Sequence, residues 1–557
     1  MSDAKAPSVN TNLAPDYYLT NFQFLVDWIV EHYADLLTPL EHDFIAQFQQ
    51  LDRQSQYLFV RLAGRKGPLF RSDKLSYAEI NSISYAAEQL INIGLLKNDS
   101  LLTLEEIANQ LTKVELVNLF REDVRTKNAE PKPVLVQLLA EKYTEVKTWK
   151  SWTKDQFGQI YLIDTKEIIN TFLLFFFGNA YQDLTEFVLQ DLGLYRYENY
   201  QIDHQHRIFK NRDEIEQYQQ LNLVHEQLAA AENLEQLIFV AEQLNNYSYT
   251  DAIARRRARI YNQLAYEFER FQEYDIAFAL YQQSHLPPAR ERRIRLLEKQ
   301  SDHNAAWQLL NETLANPINE HELQIATRMA PRLAKKTGNK LNKKSPLSAR
   351  ELHLILPQLR DENGLAFRVE EIVRLHFELP EAPCLYVENH LLAGLFGLWL
   401  WPEMFRSLEG AFANPFQSAP LDMYEENFVG KRPNIANLWQ LFEQDLHQNH
   451  IRDVWKNKHG ISNHFVNWQA LDETILDLAL SCIPAQHLKF IFERLLFDIK
   501  NNRSGLPDLI QFFPSEKRYR MIEVKGPGDR IQDNQQRWLN FFNAHNIPAE
   551  VCYVSWQ

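Results

Sequence analysis

A short stretch near the end of the chain combines the residue types that hydrolyse phosphodiesters with the help of a metal ion. A Pro-Asp pair ending at Asp508 precedes a β-type run, and a Glu-Val-Lys tripeptide from Glu523 to Lys525 ends a second such run after a polar turn. Two β-type runs joined by a polar turn predict a β-hairpin. Antiparallel pairing would then bring Asp508 next to Glu523, and Lys525, two residues further on, would share the face of Glu523.

These three side chains suit phosphodiester hydrolysis. Two carboxylates form a hard oxygen site for Mg²⁺ or Mn²⁺. Such a metal polarises the phosphate and lowers the pKa of a bound water, while a lysine on the same face stabilises the transition state. The alternative is a surface hairpin with an incidental Glu-Val-Lys. The Pro-Asp pair at hairpin spacing favours the catalytic interpretation.

Composition places this site in a large, mainly helical protein. The chain has 557 residues, 45% of them hydrophobic and 24% charged, with only 16 glycines, so we expect three or four domains rich in helix. The net charge of −14 excludes a uniformly basic surface but allows local phosphate-binding patches. Three widely spaced cysteines and the absence of a signal-peptide pattern predict a reducing cytoplasm. The longest apolar run, residues 172–177, is too short to span a membrane.

The first 200 residues contain two candidate DNA-binding segments. Between Tyr57 and Ile80, basic residues lie on a turn among aromatic residues, which suits phosphate binding or, equally, a solvated loop. Further on, a helix over 104–120 with Thr103 as its N-cap, a basic break and a second helix over 134–143 resemble an SAP-type module. The basic candidates in these segments are Arg61, Arg65, Lys66, Arg71, Lys127 and Lys132.

The middle of the chain, residues 211–356, is predicted to be an array of helical hairpins. Ala265, Ala277 twelve residues later and the following Pro287-Pro288 resemble a tetratricopeptide (TPR) unit. Such an array binds protein partners or packs on its own nuclease domain. Its basic clusters, around residues 255–259 and 290–295 and from Arg332 to Lys344, either contact nucleic acid or form solvated faces.

The longer C-terminal pattern resembles a known nuclease family. The hairpin residues match the PD-(D/E)XK pattern, and the run from Gly505 through Asp508, Glu523 and Lys525 to Gln535 and Trp538 resembles a virus-type replication-repair nuclease (VRR-NUC) domain. The 387–399 segment resembles that family's helix with an acidic metal ligand. Because SAP-like and TPR-like parts precede it in the same order, the whole chain resembles a bacterial Fanconi-associated nuclease.

This resemblance implies roles for individual residues. The metal ligands would be Glu388, Asp508, Glu523 and the carbonyl of Val524, with Lys525 as the catalytic lysine. Gln535 matches a glutamine on the helix that follows the lysine strand. Family members also bind a 5′-phosphate in a basic pocket, for which Lys500, Arg503 and Arg530 are candidates. Arg432, in a Lys-Arg-Pro segment that also matches the family, is a further candidate DNA contact.

The predicted fold is multidomain, with mainly α-helical N-terminal and TPR-like regions and a C-terminal α/β restriction-endonuclease-like nuclease domain. The predicted bounds are 1–75 for an N-terminal helical region, 76–205 for an SAP/winged-helix-like domain, 206–368 for the TPR-like domain and 369–557 for the nuclease. The expected activity is metal-dependent incision of 5′ flaps and branched DNA with 5′→3′ trimming, in interstrand-crosslink repair. A Holliday-junction-type resolvase and a scaffold that binds DNA structures without catalysis are the alternatives, and the oligomeric state stays open.

Overall fold

A computed structural model describes residues 16–182, 195–247, 249–250, 253–340 and 349–557. The chain divides into two compact units. The first comprises Met1–Tyr195 and Ile202–Arg212, and the second comprises Arg196–Gln201 and Asp213–Gln557. The first unit and the beginning of the second are mostly helical, and a mixed sheet follows near the C-terminus, which confirms the predicted fold class. The four-part division at 75, 205 and 368 stays a prediction.

The first unit surrounds its small sheets with short helices. Its helices are α1 Tyr17–Tyr33, α2 Pro39–Gln50, α3 Arg53–Ala63, α4 Ile83–Asn92, α5 Leu104–Gln110, α6 Lys113–Leu119, α7 Arg121–Val124, α8 Lys132–Ala140, α9 Trp149–Thr153 and α10 Lys166–Phe177. Its strands are β1 Leu69–Arg71, β2 Leu96–Lys97, β3 Leu101–Leu102, β4 Lys147–Thr148 and β5 Ile160–Ile163. Strand β5 pairs antiparallel with β1 and β2, and β3 pairs antiparallel with β4.

The predicted helix over 104–120 is two helices. Thr103 caps α5 as predicted, since its side chain accepts from the backbone of Glu106 while the Glu106 carboxylate accepts from the backbone of Thr103. Thr112 and Glu115 repeat the same reciprocal cap nine residues later and begin α6. The prediction of a single helix was wrong because apolar periodicity continues across the break, whereas the second capping box determines where the chain turns.

The second unit begins with the helical array. Its helices are α11 Arg212–Ala230, α12 Leu234–Asn246, α13 Ala254–Arg270, α14 Tyr274–Gln282, α15 Ala289–Lys299, α16 His303–Ala315 and α17 Glu320–Thr337. Ala265 on α13 and Ala277 on α14 are fully buried, as the small-residue pattern predicts for two closely packed helices. The helical-hairpin interpretation of this region is therefore supported by the packing of its small residues.

A five-stranded mixed sheet forms the centre of the C-terminal part. Its strands are β6 Arg350–Leu356, β7 Cys384–Tyr386, β8 Leu509–Phe513, β9 Arg518–Lys525 and β10 Ala549–Trp556, in the spatial order β6-β10-β9-β8-β7. Strands β8 and β9 form the predicted antiparallel hairpin, whereas β10 is parallel to both β9 and β6. Val373, Cys384, Leu509, Ile522 and Cys552 are fully buried and form the core beneath the sheet.

The C-terminal part also contains eight α-helices among the described residues. They are α18 Val369–Phe377, α19 Leu391–Met404, α20 Ile435–Glu443, α21 His447–Lys458, α22 Glu473–Cys482, α23 Ala485–Phe497, α24 Ile499–Asn502 and α25 Asp533–Ala544. In the described part of the chain, no single helix is long and apolar enough to cross a membrane, although α22 and α23, bent by 107° at their junction, pass that test as a pair.

The last helix of the array packs against the nuclease part of the same unit. Arg494 on α23 pairs with Glu320 on α17 at 2.9 Å, and both side chains are only 11% exposed. The backbone N–H of Glu320 donates to the Asp498 carboxylate at 2.8 Å. The end of the array is therefore joined to the helices that lead directly to Asp508, which is one of the two alternatives that the TPR-like pattern left open.

Candidate active site

The β8–β9 hairpin positions the two central carboxylates. Leu509 pairs with Ile522, so the same register extended by one residue sets Asp508 beside Glu523. Asp508 is 7% exposed and Glu523 is 1% exposed. The Asp508 carboxylate accepts a hydrogen bond of 2.8 Å from the backbone N–H of Val524, which fixes its orientation across the hairpin. The geometry predicted from the Pro-Asp and Glu-Val-Lys spacing is therefore present.

Lys525 lies on the same face as Glu523. Its Nζ donates to Glu523 Oε1 at 2.5 Å, and the lysine side chain is 9% exposed. A charge pair this deeply buried would be costly without close geometry, because each ion loses its hydration. The pairing keeps an ammonium group directly beside the carboxylates.

Glu388 reaches the same edge of the sheet through β7. This strand pairs antiparallel with β8, and the backbone N–H of Val387 donates to the carbonyl of Asp508 at 2.8 Å. Glu388 lies in the turn between β7 and α19, not within the helix as its sequence context suggested. The turn contains Asn389 with a φ of 54°, a left-handed conformation that asparagine tolerates well. This conformation ends the strand and delays the start of α19 to Leu391.

Burial and mutual repulsion raise the pKa values of the two central carboxyl groups. For Asp508 burial is the largest cause, and the charges of Glu388 and Glu370 add to it, while the Val524 N–H and Lys525 oppose it. Burial also raises the pKa of Glu523, with the charge of Asp508 as the next cause. The lysine therefore does not compensate the local negative charge completely. A buried site with excess negative charge stabilises a bound cation.

The donor chemistry of this site fits a hard divalent cation. Its carboxylate oxygens are the ligands that Mg²⁺, Ca²⁺ and Mn²⁺ prefer. Among the described residues, no group of three His, Cys, Asp or Glu side chains is arranged closely enough to hold one metal ion. Each carboxylate has a protein donor, since Val524 N–H binds Asp508, Lys525 binds Glu523 and Tyr386 binds Glu388. The carbonyl of Val524 stays a predicted ligand.

Gln535 lies at the start of the helix that follows the lysine strand. It is the third residue of α25, and its side-chain oxygen accepts from the backbone N–H of Gln532 at 2.9 Å. This bond is half of a capping box and orders the N-terminal turn of α25. The side chain therefore serves helix capping here, and its part in catalysis stays a prediction.

Two of the predicted DNA contacts have structural roles instead. Arg432 is completely buried, with both Nη atoms 2.8 Å from the Asp422 carboxylate and Nε bonded to the carbonyl of Glu403. Arg71 is 3% exposed and pairs with Asp73 and Glu115. Neither guanidinium is accessible to a phosphate, so these two assignments are corrected. Sequence reasoning did not indicate this burial, because it depends on carboxylates that lie up to 44 residues away in the chain.

The other basic candidates differ in accessibility. Six of them are exposed: Arg65, Lys66, Lys127, Lys500, Arg503 and Arg530. Arg61 is partly buried between Glu79 and the ring of Tyr18, and Lys132 donates to the carbonyl of Leu111 at 2.7 Å. Arg503 is exposed at the start of the segment that leads to Asp508, and its Nη1 lies 2.5 Å from His464 Nε2. The exposed residues remain candidates for phosphate contacts.

A basic cavity of about 880 Å³ lies where α17 meets the N-terminal turn of α25. Four arginines line it, namely Arg295, Arg328, Arg332 and Arg537. Carboxylates partly neutralise them, since Arg328 pairs with Asp533 and Arg332 with Glu298. The basic clusters of the array thus contribute Arg295 and Arg332 to this cavity. Arg290 and Arg292, which are close to Arg295 in the chain, pair with Glu322 and Glu269 instead.

Sequence reasoning does not identify three side chains that lie near the carboxylates. Tyr386 donates from its hydroxyl to Glu388 Oε2, and Asn389 donates from Nδ2 to Glu388 Oε1 at 3.3 Å. Tyr386 and Asn389 lie within two residues of Glu388 in the chain, and this nearness could have indicated them as its partners. Glu370, in the first turn of α18, acts on Asp508 through its charge, and only the tertiary fold brings it near.

The hairpin, its carboxylates and its lysine define a metal-dependent nuclease domain of the PD-(D/E)XK type. Residues 443–556 match the VRR-NUC domain family, which implies dependence on a divalent metal. Residues 16–97 match the FAN1 HTH domain, and residues 101–152 match the Fanconi anemia-associated nuclease SAP domain. Strand β7 and Glu388 precede the VRR-NUC match, so part of the site comes from outside it.

Relatives and solved structures extend this similarity over the whole chain. A Fanconi-associated nuclease 1 homolog of Pseudomonas aeruginosa is 40% identical over 97% of this chain and 96% of its own length. A homolog of Schizosaccharomyces pombe is 25% identical over 97% of this chain and 91% of its own. A crystal structure of paFAN1 bound to 5′ flap DNA with a 2-nucleotide flap and a gap superposes with a TM-score of 0.84, at 38% identity, covering 98% of this chain and 99% of that one. The chain therefore belongs to the Fanconi-associated nuclease family and is a nuclease.

Proposed function

We propose that this nuclease incises DNA near the junction of 5′ flaps and related branched structures, and trims in the 5′→3′ direction. The observation that carries the proposal is the buried Asp508–Glu523–Lys525 constellation on the β8–β9 hairpin, with Glu388 delivered beside it by β7. The preference for flaps is supported by the similarity to paFAN1, whose structures carry 1-nucleotide and 2-nucleotide 5′ flap DNA with a gap.

Mg²⁺ or Mn²⁺ is the proposed cofactor, held by the carboxylates of Glu388, Asp508 and Glu523 and by the carbonyl of Val524. When bound, such an ion polarises the scissile phosphate and lowers the pKa of a coordinated water. The Val524 N–H holds the Asp508 carboxylate in one orientation. Lys525, released in part from Glu523, places its ammonium charge where negative charge develops on the phosphate oxygens.

The exposed basic residues are the proposed DNA contacts. Lys500, Arg503 and Arg530 flank the segments that carry Asp508 and Lys525, so we assign them to the phosphates nearest the cut and to a 5′-phosphate. Arg65, Lys66 and Lys127 of the first unit are assigned to duplex phosphates. Phosphate contacts orient the DNA without reading its sequence, which suits an enzyme that recognises branch structure.

The cellular role that follows is repair of interstrand crosslinks, in the cytoplasm and on nucleoid DNA. A nuclease that cuts beside a flap and then trims can release a crosslinked strand from its partner. The three free cysteines of the chain, all buried, are consistent with a reducing compartment. The array contacts the nuclease part through α17 and also through Arg255 on α13, which pairs with Glu426. Its other faces are the proposed binding surface for protein partners.

Product mapping on end-labelled DNA tests this proposal. Wild-type protein with Mg²⁺ or Mn²⁺ should cut a 5′-flap duplex near the junction and then shorten the product from its 5′ side. Asp508→Ala should abolish cleavage while retaining flap binding, whereas Asp477→Ala, which removes an exposed carboxylate on α22, should cut normally. Equal cleavage by Asp508→Ala would refute the site. Preferred cutting of four-way junctions would favour a Holliday-junction resolvase.

A further inference from the structure

We infer that Tyr386 is a positioning residue, whose hydroxyl orients the Glu388 carboxylate for the divalent cation. This inference rests on the proposed function, because it takes Glu388 as a metal ligand. Tyr386 itself touches neither the reacting phosphate nor the ion in the proposal. It acts through Glu388, the one proposed ligand that lies outside the hairpin.

The fold brings Tyr386 directly to the site. It is the last residue of β7, and its Cα partner is Leu509, the first residue of β8 and the neighbour of Asp508. Its hydroxyl donates to Glu388 Oε2. The tyrosine is 43% exposed, so water could satisfy its hydroxyl without any protein partner. The bond to Glu388 is therefore not imposed by burial of the tyrosine.

The second oxygen of Glu388 has its own donor. Asn389 Nδ2 lies 3.3 Å from Glu388 Oε1, and Asn389 Oδ1 accepts from the backbone N–H of Leu506 at 3.4 Å. The left-handed backbone of Asn389, with its φ of 54°, turns its side chain back toward both partners. The turn that carries Glu388 is thus tied to the segment that leads into Asp508.

Orientation matters more for Glu388 than for the other two carboxylates. Asp508, directly before β8, and Glu523, within β9, are almost fully buried, whereas Glu388 is half-buried on a turn. Each carboxylate oxygen accepts more than one hydrogen bond, so Glu388 can keep its tyrosine partner while it binds an ion. Partners of this kind around metal ligands typically contribute about 10–100-fold to metal affinity or activity.

Mn²⁺ binding by the full-length chain without DNA tests the inference. Titration followed by electron paramagnetic resonance should show Mn²⁺ affinity weakened at least about 10-fold in Tyr386→Phe. The Mn²⁺ concentration for half-maximal flap cleavage should rise by a similar factor, and saturating Mn²⁺ should restore most of the rate. The matched control is Tyr553→Phe on β10, a partly exposed tyrosine of the same sheet whose ring stacks on His353. It should bind Mn²⁺ as wild type does.

Glu388→Ala separates failure of this inference from failure of the proposed function. If Glu388→Ala weakens Mn²⁺ binding and Tyr386→Phe leaves it unchanged, the positioning role is overturned and the metal site stands. If Glu388→Ala and Asp508→Ala both bind Mn²⁺ as tightly as wild type, the proposed metal site is overturned, and the role of Tyr386 with it. Weakened binding by Glu388→Ala and Tyr386→Phe, with Tyr553→Phe unchanged, supports both.

Discussion

Lys525 Nζ lies 2.5 Å from Glu523 Oε1 at the buried end of β9. The pair differs from a surface salt bridge, because neither side chain is more than 9% exposed and the neighbouring Asp508 adds a second negative charge. The lysine therefore has two functions. It limits repulsion between the carboxylates in the folded protein, and its ammonium group is available to a phosphate at the same place.

Lys525→Met should remove both functions, because each depends on the ammonium charge, while nearly preserving side-chain volume. We expect flap cleavage at saturating metal to fall by at least about 100-fold, the range found when one donor that stabilises transition-state charge is removed. Single-turnover experiments with labelled flap DNA measure this cleavage rate. Lys517→Met, in the exposed turn at the other end of the same hairpin, is the control and should cut like wild type. A variant at 525 that cuts normally would exclude the lysine from the chemistry.

Arg432→Met should destabilise the protein rather than its DNA complex. The change leaves the Asp422 carboxylate, only 4% exposed, without its bidentate partner. Breaking one side of a buried ion pair costs about 3–5 kcal/mol of unfolding free energy. Denaturant unfolding of the full chain should show this loss, and Arg432→Lys should recover only part of it because lysine lacks the planar fork. Unchanged stability with weaker DNA binding would restore Arg432 as a phosphate contact.

Lys500→Ala and Arg530→Ala should weaken flap binding evenly across DNA sequences. Each exposed cation that contacts a phosphate releases counterions, so losing one contact lowers the slope of log K against log salt by about 0.9 on duplex DNA. Fluorescence anisotropy over a range of salt concentrations measures the slope. The control is Lys517→Ala, since that residue lies at the hairpin turn, away from Asp508. A slope identical to wild type in both test variants would remove these residues from the interface.

His447→Phe should make the protein less sensitive to acid. His447 is fully buried, both of its ring nitrogens lack a hydrogen-bond partner among the described residues, and its ring stacks on Phe442 at 4.7 Å. Burial lowers the pKa of His447, against a smaller opposing effect of Asp445. As the pH falls through about 6.5, the unfolded chain binds a proton that the folded chain does not, so the unfolding free energy falls by at most about 1.4 kcal/mol per pH unit.

Thermal unfolding at several values between pH 8 and pH 5 measures this effect. The unfolding midpoint of His447→Phe should fall less on acidification than that of wild type. Above pH 7 the histidine is neutral in both the folded and the unfolded state, so the two midpoints should depend on pH in the same way. His225→Phe, at an exposed position on α11, should follow wild type throughout. Equal acid sensitivity of the wild type and His447→Phe would contradict the inference that His447 gains a proton when the chain unfolds.

Features that depend only on neighbours in the chain could be predicted from the residue pattern. The β8–β9 hairpin follows from two β-type runs and a polar turn, and its two-residue period sets Glu523 and Lys525 on one face. The Thr103 cap and the buried alanines of the helical array follow from equally local patterns. Glu388 was found only through resemblance to the nuclease family, because nothing around it distinguishes it from an ordinary acidic residue.

Which charged side chains are buried, and which partners they contact, depends on long-range packing that local patterns do not reveal. Pairing of β7 with β8 brings Glu388 to the hairpin across 120 residues of chain, and with it Tyr386. The same long-range packing buries Arg71 and Arg432 against carboxylates, so two basic residues that looked like phosphate contacts became internal ion pairs. Local periodicity specifies the face on which a side chain lies, whereas its burial and partners depend on elements far away in sequence.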